Sequence, residues 1–166
     1  MFAAVGLTLV NVPSLDELDA RIVLLFSRQP RVGVLEASRR LGIARGTVQA
    51  RLDRLERDAV ITDWAPSVDP VALGFPVSAF ATLEIAQAAG HRPVAEHLRS
   101  IPEVLEAHTI TGGADMMVRL VARSNADMQR VIDQVVAAPS VRRASTVIVL
   151  TTEIAPRVIP LVESLP

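Results

Sequence analysis

Cysteine is absent from this 166-residue chain, and so are lysine and tyrosine. Without thiols the chain can form neither disulfide staples nor thiolate metal sites, and a reducing, cytoplasmic setting is expected. Aromatic residues make up only 3%, with a single tryptophan, so any core must be built from aliphatic side chains. No apolar run approaches the roughly 20 residues that a membrane-spanning helix requires, so no membrane partner is expected. Residues 1–13 are apolar but have neither the basic start nor the small-residue cleavage pattern of a signal peptide, and are expected to be a loose leader.

What remains is an aliphatic, arginine-bearing sequence. Hydrophobic residues account for 50%, enough for one compact domain or two small ones, and the net charge is −1. All 17 basic residues are arginine. Between Ala37 and Arg57, six arginines stand against two acids, Asp53 and Glu56. From Trp64 onward, eight arginines face ten acids. A basic island on a near-neutral chain suits local contact with phosphate, or a solvated helix face.

The N-terminal third has helical grammar. Ser14 and Glu17 have the spacing of a capping box. Leu15, Leu18, Ile22 and Leu25 then recur at intervals of three and four, as on one face of a helix, until Pro30 ends it. A second helix is expected from Val34 to Leu41, closed by Gly42 in the left-handed conformation. The third runs from Arg45 to Arg57 with Val48, Leu52 and Leu55 inward. Gly46, Thr47, Ala50, Asp53, Arg54 and Arg57 then lie outward, with Gln49 and Arg51 at the flanks. Two helices joined by a short glycine turn form a helix-turn-helix, whose second helix can enter the major groove. A plain three-helix bundle with arginines in solvent fits the same spacing.

After Ile61 the pattern changes. A short strand is expected within a linker, 62–75, followed by β-α-β-β-α-β. Its strands run over Val77–Ile85, Val104–Thr111, Met116–Val121 and Val141–Thr152, and its helices over Pro93–Ser100 and Ala126–Ala137. This is α+β, a helix-turn-helix head at 14–61 followed by a ferredoxin-like sandwich at 76–155, with a tail at 156–166. One sheet face is left uncovered by the two helices, so at least a dimer is expected.

Three stretches carry a family resemblance. Leu15-Asp16-Glu17-Leu18-Asp19-Ala20-Arg21-Ile22 looks like an opening helix. Leu41-Gly42-Ile43, through Val48, Arg51, Leu52, Leu55 and Glu56 to Val60-Ile61, looks like a turn and recognition helix. His108-Thr109-Ile110-Thr111-Gly112-Gly113-Ala114-Asp115 is similar to a glycine-containing effector loop. In this order they resemble the leucine-responsive/AsnC, or feast/famine, transcription regulators over about Leu15 to Thr152. The resemblance implies homodimers, often assembled into octamers, that bind double-stranded promoter DNA and respond to small effectors, usually amino acids. Two positions depart from the pattern: Ala44 stands where the family usually has a capping serine, and Gly113-Ala114 where it carries an acidic and often an aromatic residue.

The candidate DNA contacts are Arg45, Gly46, Thr47, Gln49, Ala50, Arg51 and Arg54. Glutamine can read adenine bidentately, and arginine can read guanine or grip phosphate. On the alternative reading, Arg51 pairs with Glu56 or with a helix of its own domain. Arg39 and Arg40 suit backbone contact or solvent. Removing Arg54 is expected to weaken binding to any DNA and to flatten its salt dependence.

The candidate effector residues are Thr111, Gly112, Gly113, Ala114 and Asp115. Glycine amides can hold an α-carboxylate, and Asp115 an α-ammonium. Ser145 and Thr146 stand where the resemblance implies hydroxyl contacts from a neighbouring chain. The competing reading of the loop is a β-turn with a solvated aspartate, which would leave an architectural DNA binder. An enzymatic alternative, such as a siroheme decarboxylase of similar architecture, would have to use His108 with Arg119. No phosphate loop, nucleophile–base pair or metal cluster is visible, and no cofactor is expected. His91 and His97 have poor ligand spacing. Trp64 is expected to pack between head and linker, and one of Met116 and Met117 to fill core.

Overall fold

The computed structural model describes residues 14–86 and 90–165. The expected leader, 1–13, lies outside the described residues. The described residues divide into two compact units: a head formed by residues 14–66 together with 155–165, and a second unit within Ser67–Ile154.

The head contains α1 (Glu17–Arg28), α2 (Val34–Leu41) and α3 (Arg45–Arg57). The capping box of α1 is formed by Asp16 and Asp19, in place of the expected Ser14 and Glu17. Asp16 is extended at φ −91° and ψ 171°. Its carboxylate accepts from the Asp19 amide at 2.8 Å, and the Asp19 carboxylate accepts from the Asp16 amide at 3.0 Å. Carboxylates favour a helix N-terminus more than a neutral hydroxyl does, because the partial charge there is positive. The helix therefore starts two residues later than the Ser14 reading placed it. The buried stripe moves with it: Ile22 and Phe26 are buried beside Asp19, while Leu15, Leu18 and Leu25 line its margin. In α2, Ala37 and Ser38 face inward, and Gly42 ends the helix at φ 70°, where a side chain would be strained. In α3, Val48, Leu52 and Leu55 are buried.

Trp64 packs within the head, edge-on to Phe26 at 5.6 Å between ring centroids, with its indole N–H donating to Glu56 at 2.8 Å. The expected short strand within 62–75 does not form. Every described strand belongs to one four-stranded sheet, and Pro66 has no amide to donate to a ladder. The expected tail contains a fourth head helix, α6 (Ile159–Glu163, numbered in chain order), which lies against α1, where Arg28 and Glu163 form an ion pair.

The second unit contains β1 (Val77–Ile85), α4 (His91–Arg99), β2 (Val104–Thr109), β3 (Met116–Ala122), α5 (Asn125–Val136) and β4 (Val141–Ile148). The sheet is antiparallel in the order β2-β3-β1-β4, as a ferredoxin-like sandwich requires. Helix α4 begins two residues before the Pro93 start, because proline is tolerated in a first turn whose amides lack helical partners. β4 stops at Ile148 rather than Thr152. The Val149 amide makes a last bond to the Ser78 carbonyl at 2.8 Å, one residue from the start of β1 at Val77.

Alternation along β1 and β3 sorts the side chains. Ala79, Ala81, Leu83, Met116, Val118 and Leu120 pack against Val94 and Leu98 of α4 and Met128, Val131 and Val135 of α5. On the other face, register aligns Phe80 with Arg119 and Val147, and Thr82 with Met117 and Ser145. Met116 is therefore core and Met117 is not. No helix among the described residues is long and apolar enough to cross a membrane.

Candidate functional sites

The first site is the outward side of α3. Arg45, Gly46, Thr47, Gln49 and Ala50 are all exposed, while Val48 between them is fully buried. The N-terminal half of the helix thus presents small and polar groups, with Arg45 free of any ion pair among the described residues. Gln49 donates to Asp53 at 2.7 Å, one turn along, a contact it must release to meet a base edge. The N-terminus has no side-chain cap: Ala44 is extended at φ −64° and ψ 142° and offers no acceptor.

Arg51 and Arg54 are placed differently from the rest of the expected contact set. The Arg51 guanidinium donates to Asp19 at 3.0 Å and pairs with Asp16, and Arg54 pairs with the other Asp19 oxygen. Glu56, the partner considered for Arg51 within its own helix, is taken by Trp64. Asp19 is completely buried. Its Oδ1 accepts from Arg51, and its Oδ2 from Arg54 and the Asp16 amide, so the carboxylate is fully satisfied. The hydrogen bond from Arg51, then the Asp19 amide, holds the Asp16 carboxyl at about 2, below the ordinary 3.8. Arg51 is shifted upward by the same pair. Sequence reading missed Asp19 as a buried charge. The signal was present: Asp19, Ile22 and Phe26 share one face of α1 at spacings of three and four. On α2, Arg39 and Arg40 both pair with Glu36, Arg40 at 2.8 Å.

The second site is a cleft of about 490 Å³ at the end of the sheet, where β1 runs out beside the β2–β3 turn. Gly112, Gly113, Ala114 and Asp115 line it, joined by Glu84, Ile85 and Arg142. Gly112 sits at φ 121°, a conformation that excludes ordinary side chains. Asp115 is fixed as well as available. Its amide donates to Leu83 at 2.9 Å, its carbonyl accepts from Ile110 at 3.0 Å, and its Oδ2 accepts from the Ile85 amide at 2.6 Å. Oδ1 has no partner among the described residues. Thr111 is exposed beside the turn but outside the lining. Ser145 and Thr146 also stand outside it, further along β4, facing Thr82 and Ala81 respectively. Glu84 and Arg142 were missed, because nothing in one dimension brings them to the turn.

The other candidates resolve simply. His108 and Arg119 both turn to Glu106, at 3.5 and 2.8 Å. Arg119 lowers the Glu106 carboxyl below its usual range. His97 donates to the Gln134 carbonyl at 2.7 Å and ties α4 to α5.

Comparisons with known proteins match both units. The family profile of the AsnC-type helix-turn-helix domain matches residues 15–56, and that of the Lrp/AsnC ligand binding domain matches residues 78–159. The HTH-type transcriptional regulator FL11 of Pyrococcus horikoshii is 30% identical over 143 residues, covering 86% of this chain and 93% of its own length. The regulatory protein AsnC of Escherichia coli is 26% identical over 141 residues, covering 84% and 93%. The E. coli AsnC structure superposes with a TM-score of 0.82 at 25% identity, covering 89% of this chain and all of that one. A transcriptional regulator of Neisseria meningitidis, solved as a complex with L-Met, shares the fold at a TM-score of 0.78 and 23% identity, covering 86% and 94%.

Proposed function

Because the chain belongs to the Lrp/AsnC family of transcriptional regulators, whose relatives are named as regulators and not as enzymes, we propose that it reads promoter DNA with α3 and adjusts its assembly or affinity to an amino acid held beside Gly112–Asp115. The observation that carries the reading is the outward row on α3. Five exposed residues, Arg45, Gly46, Thr47, Gln49 and Ala50, surround a buried Val48. Small residues let the helix approach base edges closely, Gln49 supplies paired donor and acceptor groups, and Arg45 a free guanidinium. Arg51 and Arg54 take a positioning role: bound to Asp19, they hold α3 at a fixed angle to α1.

The uncovered sheet face supports a homodimer. Phe80, Met117 and Val147 share it, Val147 being 62% exposed. In the proposed assembly two copies close this face, further association towards an octamer follows, and Ser145, which shares the open face with Thr82, reaches the cleft of a neighbouring subunit, whereas Thr146 aligns with Ala81 on the helix-covered face. The Neisseria structure with L-Met supports an amino acid as effector.

Genome-wide mapping of bound DNA, with and without amino acids, supplies the operator. Titration of that operator at increasing salt then tests the interface. Arg45→Ala is expected to weaken binding and reduce the log–log salt slope by about 1, and Arg54→Ala to leave the slope unchanged. An unchanged slope for Arg45→Ala with a flattened one for Arg54→Ala would overturn these assignments.

A further inference from the structure

The charges around the cleft specify more than an amino acid. Resting on the reading of this cleft as the effector site, we infer that it selects amino acids with a cationic side chain. Its lining sets two carboxylates, Glu84 and Asp115, against one guanidinium, Arg142. An α-amino acid with a basic side chain carries the complement, two cations and one anion. Arg142 and the amides of the glycine turn take the α-carboxylate, Asp115 the α-ammonium, and Glu84 the side-chain cation.

Each of the three groups is available in a different way. Arg142 has no ion-pair partner among the described residues. Asp115 is anchored through Oδ2 and keeps Oδ1 open. Glu84 meets only Arg143, at 3.7 Å, with the two side chains 47% and 74% exposed. So loose and solvated a pair gives way readily to a better-placed cation. The apolar alternative lacks a floor. Ile85, the one large apolar residue of the lining, is only 7% exposed, because its side chain belongs to the core. Among the described residues, a leucine or methionine side chain therefore finds no large exposed apolar side chain of the lining to cover, and burial of such surface is what drives its binding. An acidic side chain meets Glu84 and is repelled.

Isothermal titration of the full-length protein with L-lysine, L-arginine, L-leucine, L-methionine and L-glutamate tests the inference. L-lysine or L-arginine is expected to bind at least tenfold more tightly than L-leucine or L-methionine, and L-glutamate most weakly. Glu84→Gln should collapse that preference to within about threefold, while Glu84→Asp retains part of it. Arg142→Gln should weaken every amino acid, and cadaverine, which has no carboxylate, should bind more weakly than L-lysine. If a neutral or acidic amino acid binds as tightly as the basic ones, the selectivity is refuted while the cleft stands as the effector site. If no amino acid binds at millimolar concentration, the effector reading falls and the selectivity falls with it. The ranking on the unaltered protein decides the matter even if a variant fails to fold.

Discussion

One charge cluster in the head and one in the sensing unit are put to opposite uses. In the head, acids are spent inside the structure: Asp19 is buried and bound by Arg51 and Arg54, and Asp16 closes the cluster. In the sensing unit, Glu84, Asp115 and Arg142 line an open cleft with ligating capacity left over. The contrast follows from the cores. Among the described residues, six buried apolar side chains form the head cluster and fourteen that of the sensing unit. A small core does not by itself fix the angle between α1 and α3, so ionic contacts between the helices add the constraint. A sheet with two helices holds its shape on apolar burial and can leave charges at its edge for ligands.

The contrast breaks first at Asp19. Removing it leaves two partly buried guanidinium groups without their shared partner, and losing one member of a buried ionic cluster costs about 3–5 kcal/mol. Asp19→Ala should destabilise the head by that order. The lone tryptophan belongs to the head, so Trp64 fluorescence during urea unfolding reports this unit alone. A loss below about 1 kcal/mol would mean that the apolar cluster suffices and that the ionic account of the head is wrong.

Asp115 is the counterpart in the sensing unit. Its substitution removes one acceptor from the Ile85 amide, a change of about 1–3 kcal/mol. Asp115→Ala should therefore shift the far-UV unfolding transition of the sandwich by less than Asp19→Ala shifts the head, while also removing amino-acid binding. Equal losses in the two units would erase the distinction between structural and available carboxylates.

What could be read from sequence divides along the same line. Periodicity reports local order, so α3 at Arg45–Arg57, the left-handed Gly42 and β1 at Val77–Ile85 were legible to the residue. The sandwich order followed, because its strands alternate with helices of distinct period. Contacts between distant residues carry no such signal. Asp19 meets Arg51 and Arg54 across the helix-turn-helix, and Glu84 meets the turn at Gly112 only through strand pairing. Arginines that look outward on a helical projection can be claimed by a neighbouring helix, as Arg51 and Arg54 are by Asp19 of α1. The strand expected in the linker failed for a related reason: extended residues need a partner, and no described strand pairs with residues 62–75.

A smaller test concerns the missing cap. Ala44 has the backbone of an N-cap but no acceptor, and serine there would satisfy an amide of the first turn of α3. Ala44→Ser should stabilise the head by about 0.5–2 kcal/mol in the Trp64 unfolding curve. No gain would indicate that those amides are already satisfied by water at no cost.

The smallest effect is acid-dependent, and it separates the ionic part of the head from the rest. In the folded head the Asp16 carboxyl sits at about 2, against an ordinary 3.8, chiefly because Arg51 donates to its charged form. The folded chain thus takes up this proton less readily than the unfolded chain, so the contribution is complete above about pH 4 and fades as pH falls through about 2. Asp16 has a side chain 51% exposed, so water and salt screen the pair and the effect is modest. Asparagine is a good N-cap without the charge. Asp16→Asn should therefore keep the helix start and flatten the fall in the Trp64-detected urea midpoint between pH 4 and 2. Glu36, lowered by Arg40 on α2, titrates in the same unit, so Glu36→Gln serves as the parallel variant. If Asp16→Asn loses midpoint as steeply as the unaltered protein while Glu36→Gln does not, acid sensitivity resides on α2, and the Asp16–Arg51 contact contributes nothing to holding α3.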